Sequence, residues 1–184
     1  ISADNTDGLG IVADITRNAG VSIAGRDVLL IGAGGAAAGV LGPLLREKPR
    51  RVVIANRTQA RAEQLAASHQ QIAAETHVEL RVAALDAVDE DFDIVINGTA
   101  SSLAGAESPV PARVLRAGSL AYDMMYGAAA QGFMDWATRH GAVARDGLGM
   151  LVEQAAESFA LWRGVRPPAD QVLRELRAEI AAGR

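Results

Sequence analysis

Unbroken apolar runs mark three places in the chain, 27–31 (DVLLI), 52–55 (VVIA) and 94–96 (IVI). Their length and β-branched content predict strands buried on both faces of a sheet. A fourth strand is predicted at 77–82, where HVELRV alternates, a fifth at LAYDMMY (120–126) and a short sixth at AVARD (142–146). Between them the apolar positions fall at helical spacing. Leu9, Val12, Ala13, Ile15 and Ala19 predict a leading helix that Gly20 stops. Further helices are expected after GAGG, at about 59–68, at 133–141, and at about 148–163 and 169–182, with Pro167-Pro168 separating the last two. Leu151, Ala155, Phe159 and Trp162 form the apolar face of the helix at 148–163, and Gln154, off that stripe, reads as lying on a solvated face.

Strands alternating with helices predict an α/β fold: a doubly wound, mostly parallel, Rossmann-like sheet with flanking helices. Residues 1–184 read as one domain, with a leading linker helix (about 6–19) and closing helices (about 148–182). The polar stretch TASSLAGAESPVP (99–111) follows a strand and is expected at the carboxyl edge of the sheet, where such folds bind ligands.

The segment LLIGAGGAAAGV places Gly32, Gly34 and Ala37 in a G-x-G-x-x-A pattern between a strand and a helix. Gly32 allows the tight turn, Gly34 lets the backbone approach a pyrophosphate, and Ala37 keeps the helix near the sheet. Free N–H groups at the helix start then face the phosphates. The competing reading is a glycine-rich turn used for packing, and Gly35 and Gly39 keep it open. Arg57 stands 23 positions after Gly34, where the second strand meets the adenosine ribose. An acidic residue there would bind both ribose hydroxyls of NAD, whereas an arginine pairs with the 2′-phosphate of NADP. Asn56 and Thr58 can add hydrogen bonds and Arg61, one turn on, a further charge. The plain alternative is two solvated surface arginines.

Composition narrows the classes. Apolar residues make up 49% and charged residues 22% of the 184, as in a globular protein with an ample core. There is no cysteine, which excludes disulfides, thiolate metal sites and a cysteine nucleophile. The net charge of −4 argues against nucleic-acid and membrane-surface partners, and no run approaches a membrane span. His69, His77 and His140 are scattered without ligand spacing, so no metal is expected. The chain enters at Ile1 directly into ISADNTDG, from which a piece of a longer, cytoplasmic polypeptide is expected.

Five motifs, DNTDG (4–8), GAGGAA (32–37), ANRT (55–58), YDMMY (122–126) and DGLGMLVEQA (146–155), stand in an order that resembles shikimate dehydrogenase. The resemblance runs over essentially the whole chain, to the NADP-binding domain of that family and its closing helices. It implies an amino-terminal substrate domain, carrying the catalytic lysine, outside this chain. It implies that Asp7 is the catalytic aspartate that pairs with that lysine and holds a substrate hydroxyl. Gly32, Ala33, Gly34, Gly35, Ala36 and Ala37 match the pyrophosphate loop, and Asn56, Arg57, Thr58 and Arg61 the 2′-phosphate clamp. Thr99, Met124 and Gly147 match residues beside the nicotinamide, and Tyr126 and Gln154 residues that reach the substrate. The fourth-strand motif departs from the family pattern, reading NGTASSL where NATSSG is usual.

The reaction so implied is reversible hydride transfer between NADPH and 3-dehydroshikimate, giving shikimate, with a positioned acid supplying the proton. Quinate/shikimate enzymes that prefer NAD resemble the chain too, but carry an acidic residue near the ribose. A silent NADP-binding module, and related oxidoreductases such as glutamyl-tRNA reductase or methylenetetrahydrofolate dehydrogenase, are the other readings. Without a family match Asp7 would read as a helix N-cap, Tyr126 as a rim tyrosine, Met124 as core filling, and Asp123 as satisfying backbone groups at a strand end. Leu151, Phe159 and Trp162 are expected to be partly exposed, favouring self-association.

Overall fold

The computed structural model describes residues 5–99 and 108–182. Six strands, β1 (Asp27–Ile31), β2 (Arg51–Ala55), β3 (Glu79–Ala83), β4 (Phe92–Asn97), β5 (Leu115–Asp123) and β6 (Val143–Arg145), form one sheet in the order β3-β2-β1-β4-β5-β6. Every pairing is parallel. The helices are α1 (Asp7–Ala13), α2 (Gly35–Arg46), α3 (Gln59–Thr76), α4 (Gln131–Arg139), α5 (Leu148–Arg163) and α6 (Ala169–Ala181).

The apolar runs fold as their composition dictates. Every residue of β1 and β2 is buried, because a central parallel strand is covered on both sides. Val28, Leu30, Val52, Ile54, Ile94 and Ile96 point into one core layer with Ile11, Leu41, Leu44 and Met150, beneath α1, α2, α3 and α5. The alternate positions Leu29, Ile31, Val53 and Val95 meet Phe133 and Trp136 of α4, and the loop residues Val88, Val110 and Val114, on the other face.

Several boundaries differ from the sequence expectation. The leading helix gives way at Asp14 to a π-helical turn, Asp14–Asn18. Helix α3 runs on to Thr76 and ends on His77 in the left-handed region, φ 59°. Strand β5 begins at Leu115 and ends at Asp123, so Met124 to Tyr126 lie beyond it. Of the polar stretch 99–111, residues 100–107, including the serines of NGTASSL, lie outside the described residues. Among the described residues no helix is long and apolar enough to cross a membrane.

The order of the strands sets the place of the site. From β1 the chain moves outward to β2 and β3, then returns to the other side of β1 as β4. The loops after β1 and β4 therefore diverge and leave a crevice at their carboxyl ends, the topological switch point of open parallel sheets.

Candidate cofactor and substrate site

The crevice is built from the loops that leave four neighbouring strands. Backbone hydrogen bonds lace these loops together: the Gly32 N–H donates to the Ala55 carbonyl (2.8 Å), Gly98 to Ile31 (2.8 Å), Met124 to Asn97 (3.0 Å) and Gly147 to Met125 (2.8 Å). Side chains add a second layer. Asn97 accepts bonds from the Thr99 backbone N–H (3.1 Å) and hydroxyl (2.7 Å), and its amide donates to Asp123 (3.0 Å). Asp123, fully buried, accepts the Met125 N–H at 2.8 Å. Asp123 thus satisfies the strand end, as expected. Asn97 was not singled out from the sequence; the available signal was one amide ending the apolar run 94–96 at the switch point.

Two adjoining clefts flank the glycine loop. One, of about 360 Å³, is lined by Gly32 to Ala36, Asn56, Gly98, Thr99, Met124 and Met125. The other, of about 390 Å³, lies between α2 and α3, shares Ala33, Gly34 and Gly35, and adds Arg61, Gln64 and Ser68. Gly32 has φ 107°, a left-handed conformation that favours glycine. Gly34 and Gly35 have no such requirement, and a Cβ on either would meet nothing within 4 Å. Packing therefore does not explain these two glycines, and open space over bare backbone at a helix start fits a pyrophosphate. Ala37, in the first turn of α2, is buried in the core layer beneath the helix, at the position expected to keep it close to the sheet.

The predicted clamp residues occupy the end of β2. The Asn56 amide donates to the Thr58 carbonyl at 2.8 Å and shapes the turn into α3. Thr58 begins that helix without a side-chain cap bond. Arg57 and Arg61 are exposed, and among the described residues neither has a carboxylate partner. Arg61 lines the second cleft with the glycine loop, whereas Arg57 follows the end of β2 and lines neither cleft; guanidinium groups left unneutralised at this edge suit a dianionic phosphate.

The residues expected on the substrate side are spread over α1, α5 and the loop after β5. Asp7 lies in the first turn of α1; Thr6 takes the cap position, and the Asp7 N–H is held by Asn5 Oδ1 at 2.8 Å. The Asp7 carboxylate lies over α2 at Gly39, where an added Cβ would come within 3.2 Å of it. Gly39 is thus the packing glycine of α2. Met124 and Thr99 line the first cleft. Gly147 does not line it; a Cβ there would overlap the Met124 carbonyl, so the glycine lets α5 start against the loop after β5. Tyr126 is 47% exposed, beyond both clefts.

Gln154 does not lie on the solvated face that its place off the apolar stripe predicts. Leu151, Phe159 and Trp162 are exposed, while Leu148, Met150, Val152, Glu153 and Ala156 are buried. Gln154 is half-buried against α1, because Gly10 carries no side chain: a Cβ there would sit 2.8 Å from that of Gln154 and 2.7 Å from the Met150 carbonyl. The partial exposure expected of Leu151, Phe159 and Trp162 is what the fold displays.

Lysine supplies a further constraint. Lys48 is the chain's only lysine, and it precedes β2 at the amino edge of the sheet, its carbonyl accepting the Gly25 N–H. It stands at the opposite edge from the glycine loop. No cluster of potential metal ligands occurs among the described residues.

Residues 14–116 match the family profile of shikimate/quinate 5-dehydrogenase, and residues 147–177 that of the shikimate 5′-dehydrogenase C-terminal domain. A shikimate dehydrogenase (NADP⁺) of Acidovorax sp. strain JS42 is 70% identical over 183 residues, covering 100% of this chain and 65% of that protein. An Ael1 enzyme from Pseudomonas putida superimposes with a TM-score of 0.84 at 44% identity, over 95% of this chain and 63% of the other. The Thermus thermophilus shikimate 5-dehydrogenase, solved with NADP(H) and shikimate, gives 0.74 at 29%, over 95% and 62%. The chain thus spans just under two thirds of the length of the relatives it matches.

Proposed function

The chain belongs to the shikimate/quinate 5-dehydrogenase family, and we propose that it is the cofactor-binding part of an NADP-dependent shikimate dehydrogenase, interconverting 3-dehydroshikimate and shikimate. The observation that carries this reading is the pairing of an open glycine loop with two arginines that no carboxylate among the described residues neutralises. The similar proteins named for NADP and shikimate support it. We take residues 1–184 as one domain, since Gly8, Gly10 and Gly149 let α1 and α5 pack closely onto the rest.

The residues divide the work along the crevice. N–H groups from Gly32 to Ala37 would hold the pyrophosphate. Arg57 and Arg61, with Asn56 and Thr58, would hold the 2′-phosphate and so select NADP over NAD. A charge-assisted bond is worth about 1.5–3 kcal/mol, so one such contact favours NADP by roughly ten- to a hundredfold. Thr99 and Met124 would form the wall beside the nicotinamide, with Gly147 behind it. When bound, NADP(H) supplies or accepts the hydride. Asp7 would accept a hydrogen bond from a substrate hydroxyl and orient it, with Gln154 and Tyr126 as further substrate contacts.

The alkoxide formed on reduction needs a proton. The single lysine lies at the wrong edge of the sheet to deliver it. We infer that the donor comes from outside these 184 residues and that the chain by itself binds NADP without turnover. Both small molecules are water-soluble metabolites, and we place the reaction in the cytoplasm. The test is NADP⁺-linked oxidation of shikimate by the complete polypeptide and by the 184-residue chain. Turnover by the first and none by the second is expected. Turnover by neither would overturn the function; turnover by the short chain would overturn the assignment of the proton donor.

A further inference from the structure

A carboxylate that none of these roles uses lies fully buried behind the crevice. Asp14 has no exposed surface and receives four hydrogen bonds: from the Tyr122 hydroxyl at 2.7 Å, from Arg145 Nε and Nη2 at 2.9 and 2.6 Å, and from the Asn18 amide at 2.9 Å. The donors come from three places, the π-helical turn after α1, β5 and β6. A fourth element closes on it, since a Cβ at Gly149 of α5 would overlap the Asp14 carboxylate. Asn18 also reaches Glu153 of α5 at 3.1 Å, and Glu153 is held by Arg166 at 2.9 Å.

We propose that Asp14, Tyr122 and Arg145 form a positioning cluster that sets the reacting side of the crevice, an inference that rests on the shikimate dehydrogenase reading. Three of the elements that meet at Asp14 carry a proposed site residue within them or just beyond their end. Seven residues before Asp14, on the same face of the helix, stands Asp7. Two residues after Tyr122 stands Met124, and five after Gly149 stands Gln154. Beside the core contacts of Ile11, α1 comes closest to α2 and α5 at Gly8 and Gly10, which present bare backbone. At those glycines the helices approach closely without a side-chain knob to fix how far one slides along the other. Directional hydrogen bonds to a buried charge supply that register. On the Asp7 side the pin is a neutral one, Thr6 Oγ1 to Ser158 Oγ at 3.1 Å.

The cluster contacts neither cleft, so its effect reaches the reaction only through position. The test uses the complete polypeptide with Tyr122→Phe, which removes one hydroxyl and little volume, and Arg145→Lys, which keeps the charge but not the two-pronged bond. Steady-state kinetics with shikimate are set beside calorimetric titration with NADP⁺. Misplacement of a positioning group on this scale costs roughly ten- to a hundredfold, so kcat/KM for shikimate should fall by that factor while NADP⁺ affinity and binding stoichiometry are kept. A purely structural cluster would lower thermal stability and the fraction of molecules that bind NADP⁺, but leave KM and kcat per binding site unchanged. That outcome overturns the proposal, as does failure of both variants to fold. Absence of shikimate oxidation by the unaltered polypeptide is a different failure: it removes the function, and the positioning role with it.

Discussion

The two edges of the sheet use arginine in opposite ways. At the amino edge Arg50, Arg51 and Arg116 converge on Asp27, whose side chain is buried, and are further tied to Glu90, Asp91 and Asp93. At the carboxyl edge Arg57, just after β2, and Arg61, in the cleft beside the glycine loop, have no carboxylate partner among the described residues. The first group is neutralised by the protein and serves the fold. Positive charge left unneutralised beside open backbone is available to a ligand, the role proposed for Arg57 and Arg61.

The largest effect is expected at the neutralised edge. Asp27→Ala leaves Arg51, itself buried, without its central partner, and breaking such a pair should cost about 3 kcal/mol in urea unfolding. The low end of that range applies because Arg50 remains largely solvated. The same carboxylate gives a pH signature. Burial acts to raise its pKa, but hydrogen bonds from Arg50, Arg116 and Arg51 outweigh burial and hold it below the ordinary value of 3.8. The unfolded chain therefore takes up the proton first, and the stability that Asp27 contributes is present above pH 3.8 and lost as pH falls through its lower folded value. Acid unfolding of Asp27→Ala should be correspondingly flatter in that range.

At the open edge the expected effects fall on binding instead. Arg57→Ala should weaken NADP⁺ by roughly ten- to a hundredfold, leave NAD⁺ unchanged, and shift unfolding by no more than about 0.5 kcal/mol. Gly34→Ala should weaken both dinucleotides alike with stability retained, because its φ of −91° suits alanine and the new methyl enters only the open space. Equal loss of stability in either variant would erase the contrast between the edges. The smallest effect belongs to the exposed stripe of α5. Trp162 is 81% exposed beside Phe159 and Leu151, and Trp162→Ser should reduce concentration-dependent self-association in sedimentation velocity. A chain that is monomeric at high concentration before the substitution would remove the reason for it.

Much of this edge was legible in the sequence because its signals are local. GAGGAA and ANRT each place their chemistry within a few residues of a strand end, and the strands announce themselves as continuous apolar runs. What escaped was nonlocal. Asn97 meets Asp123 across two strands, and Asp14 meets Tyr122 and Arg145 more than a hundred residues away. No spacing rule encodes those pairs. The partial burial of Gln154 escaped for a different reason. The buried side of α5 is shared between two neighbours, Met150 and Gln154 against α1 and Val152 and Ala156 against Ala169 and Leu173 of α6, and periodicity does not reveal that second partner.

The most direct measurement is calorimetric titration of the 184-residue chain with NADP⁺ and, separately, with NAD⁺. The account predicts one NADP⁺ site, with NAD⁺ weaker by roughly ten- to a hundredfold, the margin of one charge-assisted contact. Equal affinities would contradict it, leaving Arg57 and Arg61 as solvated surface charges and the open edge without its selecting group.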